Sequence, residues 1–316
     1  MTMKRFQITE DSMRPTLVPG AEIVATSSRR PSFGEVVVFP HPKREGFWLV
    51  KRVSDPPIPL EPDQVWVVSD NSEATTVDSR TLGPIEIESV LTRVERLDAT
   101  TFGEGCDLLA AEDEALATAL SRYGIPDFWN RPQGFQVLVL LILEQQVSLE
   151  SGAAMYQRLD KATGGVTPRG VVVLGTNELR SLGVTRQKAE YLLGLAAAVD
   201  DGSFDVEGLN NLSVAEARAS LVALKGIGLW TADAYLLSAL RHIDMWPVGD
   251  RALQVGAGEL LEMKDVPSEA ELEILGEPWR PLRAVAARIT WHAYLTERGR
   301  VEPPDPTLAR TPPTDA

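Results

Sequence analysis

The sequence predicts two unlike folds in tandem, a small mainly-β domain followed by a larger all-α domain. Three observations carry this. The first hundred residues alternate short β-branched runs with Pro and Gly. Beyond residue 110 most prolines disappear and apolar residues recur at helical spacing. The chain has 316 residues, 44% of them hydrophobic, which suits two cores better than one.

In chain order, "EIVA" (22–25), "EVVVFP" (35–40), "FWLVKRV" (47–53) and "VWVVSD" (65–70) read as strands between turns. The segment 98–109, "DATTFGEGCDLL", reads as a linker between a β domain over 1–97 and a helical domain over 110–299. Helix-period patterns cover 115–120, 135–143, 189–199, 221–224, 232–240 and 282–295. The Pro-rich stretch 300–316 reads as a disordered tail.

Composition excludes several classes. A single cysteine, Cys106, allows no disulfide framework, four-cysteine cluster or thiolate zinc finger. His41, His242 and His292 are too scattered for a metal-site pattern. The longest apolar run, 137–143, is far short of the roughly 20 residues a membrane helix needs, and no signal-peptide core is visible. A cytoplasmic protein acting as a monomer without a membrane partner is the expectation. The net charge of −14 argues against bulk electrostatic binding of nucleic acid. Residues 1–105 carry net −4 and the rest net −10, so any DNA contact by the helical half needs a local patch or backbone amides.

The most specific stretch is "LVALKGIGLWTADAYLLSAL" (221–240). Two apolar-periodic segments flank Gly226 and Gly228, which allow a tight turn with positive φ and close backbone approach. The following helix offers unsatisfied N–H groups and its positive dipole end, an anion site suited to a DNA phosphate. A bare G-x-G is also an ordinary helical hairpin with a glycine cap. Twenty residues after Trp230, "DMWPVGDRALQVG" places Asp250 at the start of a new helix. Alone, that Asp is a helix N-cap.

Together these motifs resemble the helix-hairpin-helix DNA glycosylase superfamily over roughly 110–299. Residues 141–159 look like the family's helix carrying duplex-intruding residues, 182–199 like its next helical pair, and 279–295 like the closing helix of the 3-methyladenine DNA glycosylase II branch. The resemblance implies a base-excision-repair hydrolase acting on damaged double-stranded DNA. Asp250 would be its catalytic carboxylate, stabilising an oxocarbenium-like sugar once the base is flipped. Lyase-competent members have a lysine where this chain has Trp230, and an indole cannot form a Schiff base, so a monofunctional glycosylase is implied. Trp230 and Trp291 would line the base pocket, stacking on electron-poor alkylated purines. Lys225, Gly226, Gly228 and Thr231 would meet DNA, and Gln146 would fill the vacated stack. The family's additional pocket tyrosine is matched only by Ala234. No cofactor is called for, although the hairpin carbonyls could hold a monovalent cation.

In the β domain, a strand period of two puts Phe47, Leu49, Lys51 and Val53 on one face. A lysine among large apolar side chains is desolvated, its pKa falls, and it becomes a general base near neutral pH. A Ser–Lys dyad needs such a base. "SMRPTL" (12–17), "GEVVVFPHP" (34–42), "LVKRV" (49–53) and "VVSDNSEATTVDSRTLGPI" (67–85) resemble the signal peptidase I family and its soluble maturation-protease-like members. By that resemblance Ser12 is the nucleophile of a serine endopeptidase acting on a peptide, Lys51 its base, and Asp70, Asn71, Asp78, Ser79 and Arg80 shape the neighbouring loop. The family's Gly two residues before the serine is Glu10 here, and its Gly-Asp-Asn is Ser69-Asp70-Asn71. Ala110 and Ala111 offer a small-residue site for self-cleavage at the domain boundary. Two rivals remain at this level: a non-enzymatic DNA-binding protein in which Asp250 only caps a helix, and a soluble maturation peptidase whose helical domain docks DNA.

Overall fold

The protein's structure is a computed structural model that describes residues 2–75 and 77–308. A small antiparallel β domain is followed by an all-α domain, as the sequence predicts. The β domain opens with β1 (Met3–Gln7), β2 (Glu22–Thr26), β3 (Val36–Pro40) and β4 (Trp48–Val53). Two short pieces follow, β5 (Gln64–Val65) and β6 (Val67–Val68), then a one-turn helix α1 (Ser79–Leu82), β7 (Ile85–Glu86) and β8 (Leu91–Arg93). One six-stranded sheet runs β1-β2-β8-β3-β4-β6, while β5 and β7 pair apart from it. The strand expected over 65–70 is therefore broken. Buried Trp66 sits at the break and its carbonyl accepts from Ser54 N at 2.9 Å, so the halves serve different sheets.

The period-two reading of β4 holds. Leu49, Lys51 and Val53 are buried and alternate with the more exposed Trp48, Val50 and Arg52. The sheet has apolar clusters on both faces. Met13, Leu17, Ile23 and Val38 belong to one, and Val37, Phe39, Leu49 and Val67 to the other.

The helical domain comprises α2 (Ala99–Glu112), α3 (Glu114–Tyr123), α4 (Phe135–Glu144), α5 (Leu149–Thr163), α6 (Pro168–Ser181), α7 (Arg186–Asp200), α8 (Val214–Val222), α9 (Leu229–Ser238), α10 (Arg251–Leu260), α11 (Glu269–Gly276) and α12 (Arg283–Glu297). α4 is apolar nearly all round and threads the core.

Two boundaries read from the sequence need correction. Residues 98–109 are no linker, because most of them form α2. Asp98 and Thr101 make a reciprocal capping box, and Phe102, Cys106 and Leu109 form a buried stripe. Gly105 lets α12 approach, since a Cβ there would lie 3.0 Å from Val285. Ala110 and Ala111 lie in the last turns of this helix, so the proposed cleavage site is not presented as an extended chain. The tail is also partly ordered. Residues 300–308 pack back on the helical domain through Glu302 and Asp305, and residues 309–316 lie outside the described residues.

The domains are docked. Past β8 the backbone pairs with the 241–243 loop, Leu97 N donating to Arg241 O at 2.8 Å and Ile243 N to Glu95 O at 3.1 Å. Thr26 donates to Glu104 on α2 at 2.6 Å, and Arg5 pairs with Glu112 at 2.7 Å. Met3 and Val24 join the apolar core of the helical domain. Among the described residues, no helix is long and apolar enough to cross a membrane.

The turn between α8 and α9 depends on Gly226, whose φ is +94°. A Cβ at this position would also collide with the Tyr191 ring. Gly226→Ala is therefore expected to lower unfolding stability by about 2–4 kcal/mol, from backbone strain plus overpacking. Urea denaturation of the two chains checks this.

Candidate active sites: an aspartate pocket and a serine–lysine pair

Asp250 sits at the N-cap of α10, and its Oδ1 accepts from Leu253 N at 2.8 Å. Two indoles also hold the carboxylate. Trp291 Nε1 from α12 donates to Oδ1 at 2.9 Å, and Trp230 Nε1 from α9 donates to Oδ2 at 2.7 Å. The capping role and a site role therefore coexist. The carboxylate lines a cavity of about 730 Å³ shared with Trp129, Trp230, Ala234, Trp291 and Tyr294. That size lies within the ~300–1,000 Å³ usual for small-molecule pockets.

Trp129 has no helical periodicity around it in the sequence, so no local signal marks it. It comes from the Pro-rich loop before α4 and packs on Trp291 with centroids 4.9 Å apart. Glu144 is likewise hidden, in the apolar run of α4. It is buried and paired with Arg131 at 3.3 Å, both lining the same cavity. Burial pushes the Glu144 carboxyl up, and the Arg131 cation only partly offsets this.

The hairpin beside the cavity departs in part from expectation. Gly226 has positive φ, but Gly228 does not, at −87°. Gly228 is the N-cap of α9 and supplies no capping side chain, so the first amides of α9 are not claimed by a side-chain cap. Buried Ile227 pins the turn. Lys225 is exposed, 3.7 Å from Glu190. Thr231 does not face outward. It is 2% exposed, and its Oγ1 accepts from Gln145 Nε2 at 3.0 Å. Gln145 also donates to Gly226 O at 2.9 Å. Thr231 therefore braces the hairpin from within, and the expectation that it meets DNA is corrected.

Residues 141–159 are not one helix. α4 ends at Glu144 and α5 starts at Leu149. Gln146 lies in the break with φ of +56° and an exposed side chain, next to exposed Val147 on the cavity rim.

In the β domain, Lys51 Nζ donates to Ser12 Oγ at 3.0 Å. Lys51 is 1% exposed and Ser12 is 9% exposed. Burial pushes the amine below the ordinary lysine range, against the opposing pull of Asp78 and Glu10. Ser12 lies in a 3-10 turn over Asp11–Met13 whose carbonyls hold the 70s loop. Asn71 N donates to Ser12 O at 3.0 Å, and Asn71 Nδ2 to Asp11 O at 3.2 Å. Asp78 is fully buried. Burial pushes its carboxyl up, but Arg80 and the Ser69 donors outweigh that and hold it at about 2. Asp70 forms a two-point pair with Arg52 at 2.6 and 2.7 Å. Ser79 Oγ accepts from Val67 N at 2.9 Å. The five loop residues thus tie the 70s segment to the sheet around the pair.

Comparison with known proteins agrees with this geometry. Residues 139–281 match the family described as HhH-GPD superfamily base excision DNA repair protein. Residues 1–57 match the family described as signal peptidase, peptidase S26. A DNA-3-methyladenine glycosylase of Bacillus subtilis is 26% identical over 180 residues, covering 53% of this chain and 57% of that protein. The chain thus spans little more than half the length of that relative. The crystal structure of a DNA-3-methyladenine glycosidase from Bacillus halodurans superposes with a TM-score of 0.54 at 30% identity, covering 63% of this chain and 92% of that one. The Schizosaccharomyces pombe 3-methyladenine DNA glycosylase Mag1, solved in complex with abasic DNA, shares the fold with a TM-score of 0.57 at 22% identity over 62% of this chain and 97% of its own. With residues 139–281 matched and the Bacillus halodurans structure superposed at 30% identity over 92% of its length, the helical domain belongs to the HhH-GPD superfamily of base excision DNA repair proteins.

Proposed function

We propose that the helical domain is a monofunctional DNA glycosylase that hydrolyses the N-glycosidic bond of alkylated purines of the 3-methyladenine type. The observation that carries this is the Asp250 carboxylate, held by two indoles in an aromatic-walled cavity next to the Gly226 turn. A stacked base is out of reach, so the nucleotide is flipped out of the duplex into the cavity. The α9 amides grip a backbone phosphate, exposed Lys225 adds charge, and Gln146 occupies the gap in the stack. Trp230, Trp291 and Trp129 present π faces to an electron-poor or cationic base. As the glycosidic bond breaks, positive charge grows on the sugar, and the Asp250 carboxylate stabilises it and orients the attacking water.

That every site residue named comes from a single chain favours a monomer acting on double-stranded DNA. No cofactor enters the chemistry. Gly226 O, although bound to Gln145, keeps a second lone pair that a monovalent cation at the hairpin could use.

Asp250→Asn is expected to lower single-turnover release of 3-methyladenine from alkylated duplex DNA by roughly 10²–10³-fold, with the thermal midpoint followed as a folding control. Release that persists in the variant removes Asp250 from the mechanism, whereas a folded wild-type chain that binds alkylated duplex DNA and releases no base is a DNA-binding protein only. Borohydride added during turnover is expected to trap no protein–DNA adduct, because Trp230 stands where a Schiff-base lysine would be. A trapped adduct would reject the monofunctional assignment.

The 3.0 Å contact between Lys51 and Ser12 favours a second activity in the β domain. The Lys51 amine takes the Ser12 hydroxyl proton, and the oxygen attacks a peptide carbonyl. The proton passes to the departing amine, and water then releases the acyl group. The base must be neutral, so labelling of Ser12 by a fluorophosphonate is expected to rise with pH and level off above the lowered Lys51 pKa. Ser12→Ala and Lys51→Met should abolish it. The unfolded chain holds the lysine proton to higher pH than the folded one, so stability rises with pH between those two values, and Lys51→Met should remove that slope. Labelling that is equal in wild type and Lys51→Met would remove Lys51 as the base, and a wild-type chain that takes no label would leave this domain as a docking module.

A further inference from the structure

We propose that residues 301–306, following α12, are a working wall of the base pocket that sets how large a lesion it accepts. This rests on the glycosylase reading above. The segment "VEPPDP" lies along the cavity that holds Asp250, and every one of its residues lines it.

It is held there by two arginines. Arg288 on α12 has a side chain 5% exposed, and its Nη1 and Nη2 meet Glu302 Oε1 and Oε2 at 2.8 and 2.9 Å. Arg131 Nε lies 3.1 Å from Asp305 Oδ2. A buried guanidinium parted from its carboxylate is costly, so Glu302 latches the segment to Arg288, and Asp305 adds a second latch as the further carboxylate that Arg131 takes beside Glu144. Pro303, Pro304 and Pro306 have φ already set, which reduces the entropy lost when the segment is fixed.

The latch reaches the aspartate through the aromatic wall. Trp129 Nε1 donates to Glu302 Oε2 at 3.3 Å, and the Arg288 guanidinium lies 4.5 Å over the Trp129 ring. Trp129 packs on Trp291, which in turn donates to Asp250. Glu302 is therefore a positioning residue. It fixes the segment and, through Trp129, the width of the slot in front of the carboxylate. Unlatching the segment widens the pocket, and added bulk on it narrows the pocket.

The test compares release of 3-methyladenine from alkylated duplex DNA with release of 1,N6-ethenoadenine, which carries a fused extra ring, from a duplex oligonucleotide. The full-length chain is used throughout. In Glu302→Gln/Asp305→Asn the ratio of large to small base released is expected to rise roughly tenfold, the scale on which a pocket separates substrates by size. Pro304 lines the cavity yet is exposed, so Pro304→Trp leaves the latches intact and tests the same wall if the double variant does not fold. It is expected to lower the ratio by a similar factor. A structural role alone would change both rates together, and an unchanged ratio in a folded variant overturns the wall. A wild-type chain that releases neither base overturns the glycosylase reading instead.

Discussion

The helical domain depends on the clasp around Asp250. Residues 230, 250 and 291 lie on three helices far apart in sequence, yet the two indole N–H groups and the α10 N-terminus converge on one carboxylate. A carboxylate drawn from water needs donors for its lone pairs. An arginine would satisfy them but would also spend the negative charge on itself. Indoles satisfy the oxygens without adding a cation, so the charge remains available to a developing positive centre. Neutral donors thus combine a fixed geometry with an undiminished field.

The serine–lysine pair meets the opposite problem. There the buried group is a base that must shed its charge, and burial supplies the means by lowering the amine pKa. The acid nearby does not cancel the effect, because Asp78 is taken up by Arg80 and Ser69. Each domain thus sets its key polar group by which partners it withholds from it. The two domains are packed through α2 and the backbone pairing near Arg96 and His242, and Met3, Val24, Val94 and Leu97 extend the helical core there.

Local patterns were readable wherever their cause was local. The alternation in β4 put Lys51 inward, and the hairpin glycine and the capping Asp250 stand where their motifs place them. Errors arose where a distant partner overrides propensity. Gly and Thr between 98 and 109 suggest a loop, yet burial against α12 makes that segment a helix. Thr231 sits in a motif expected to meet DNA, but Gln145 draws it inward. Proline between 301 and 306 suggests disorder, yet buried Arg288 and half-buried Arg131 hold the segment in place.

The sequence by itself determined the order of a β and an α domain, the turn at Gly226, the helix cap at Asp250 and the inward face of Lys51, because capping, turn formation and strand period act over a few residues. Only the tertiary structure decided that Trp129 and Glu302 stand near Asp250, that Glu144 faces a cavity, and that Ser12 meets Lys51. Those pairings join residues 13 to 173 positions apart, and buried charge and ring packing, which set them, leave no periodic trace along the chain.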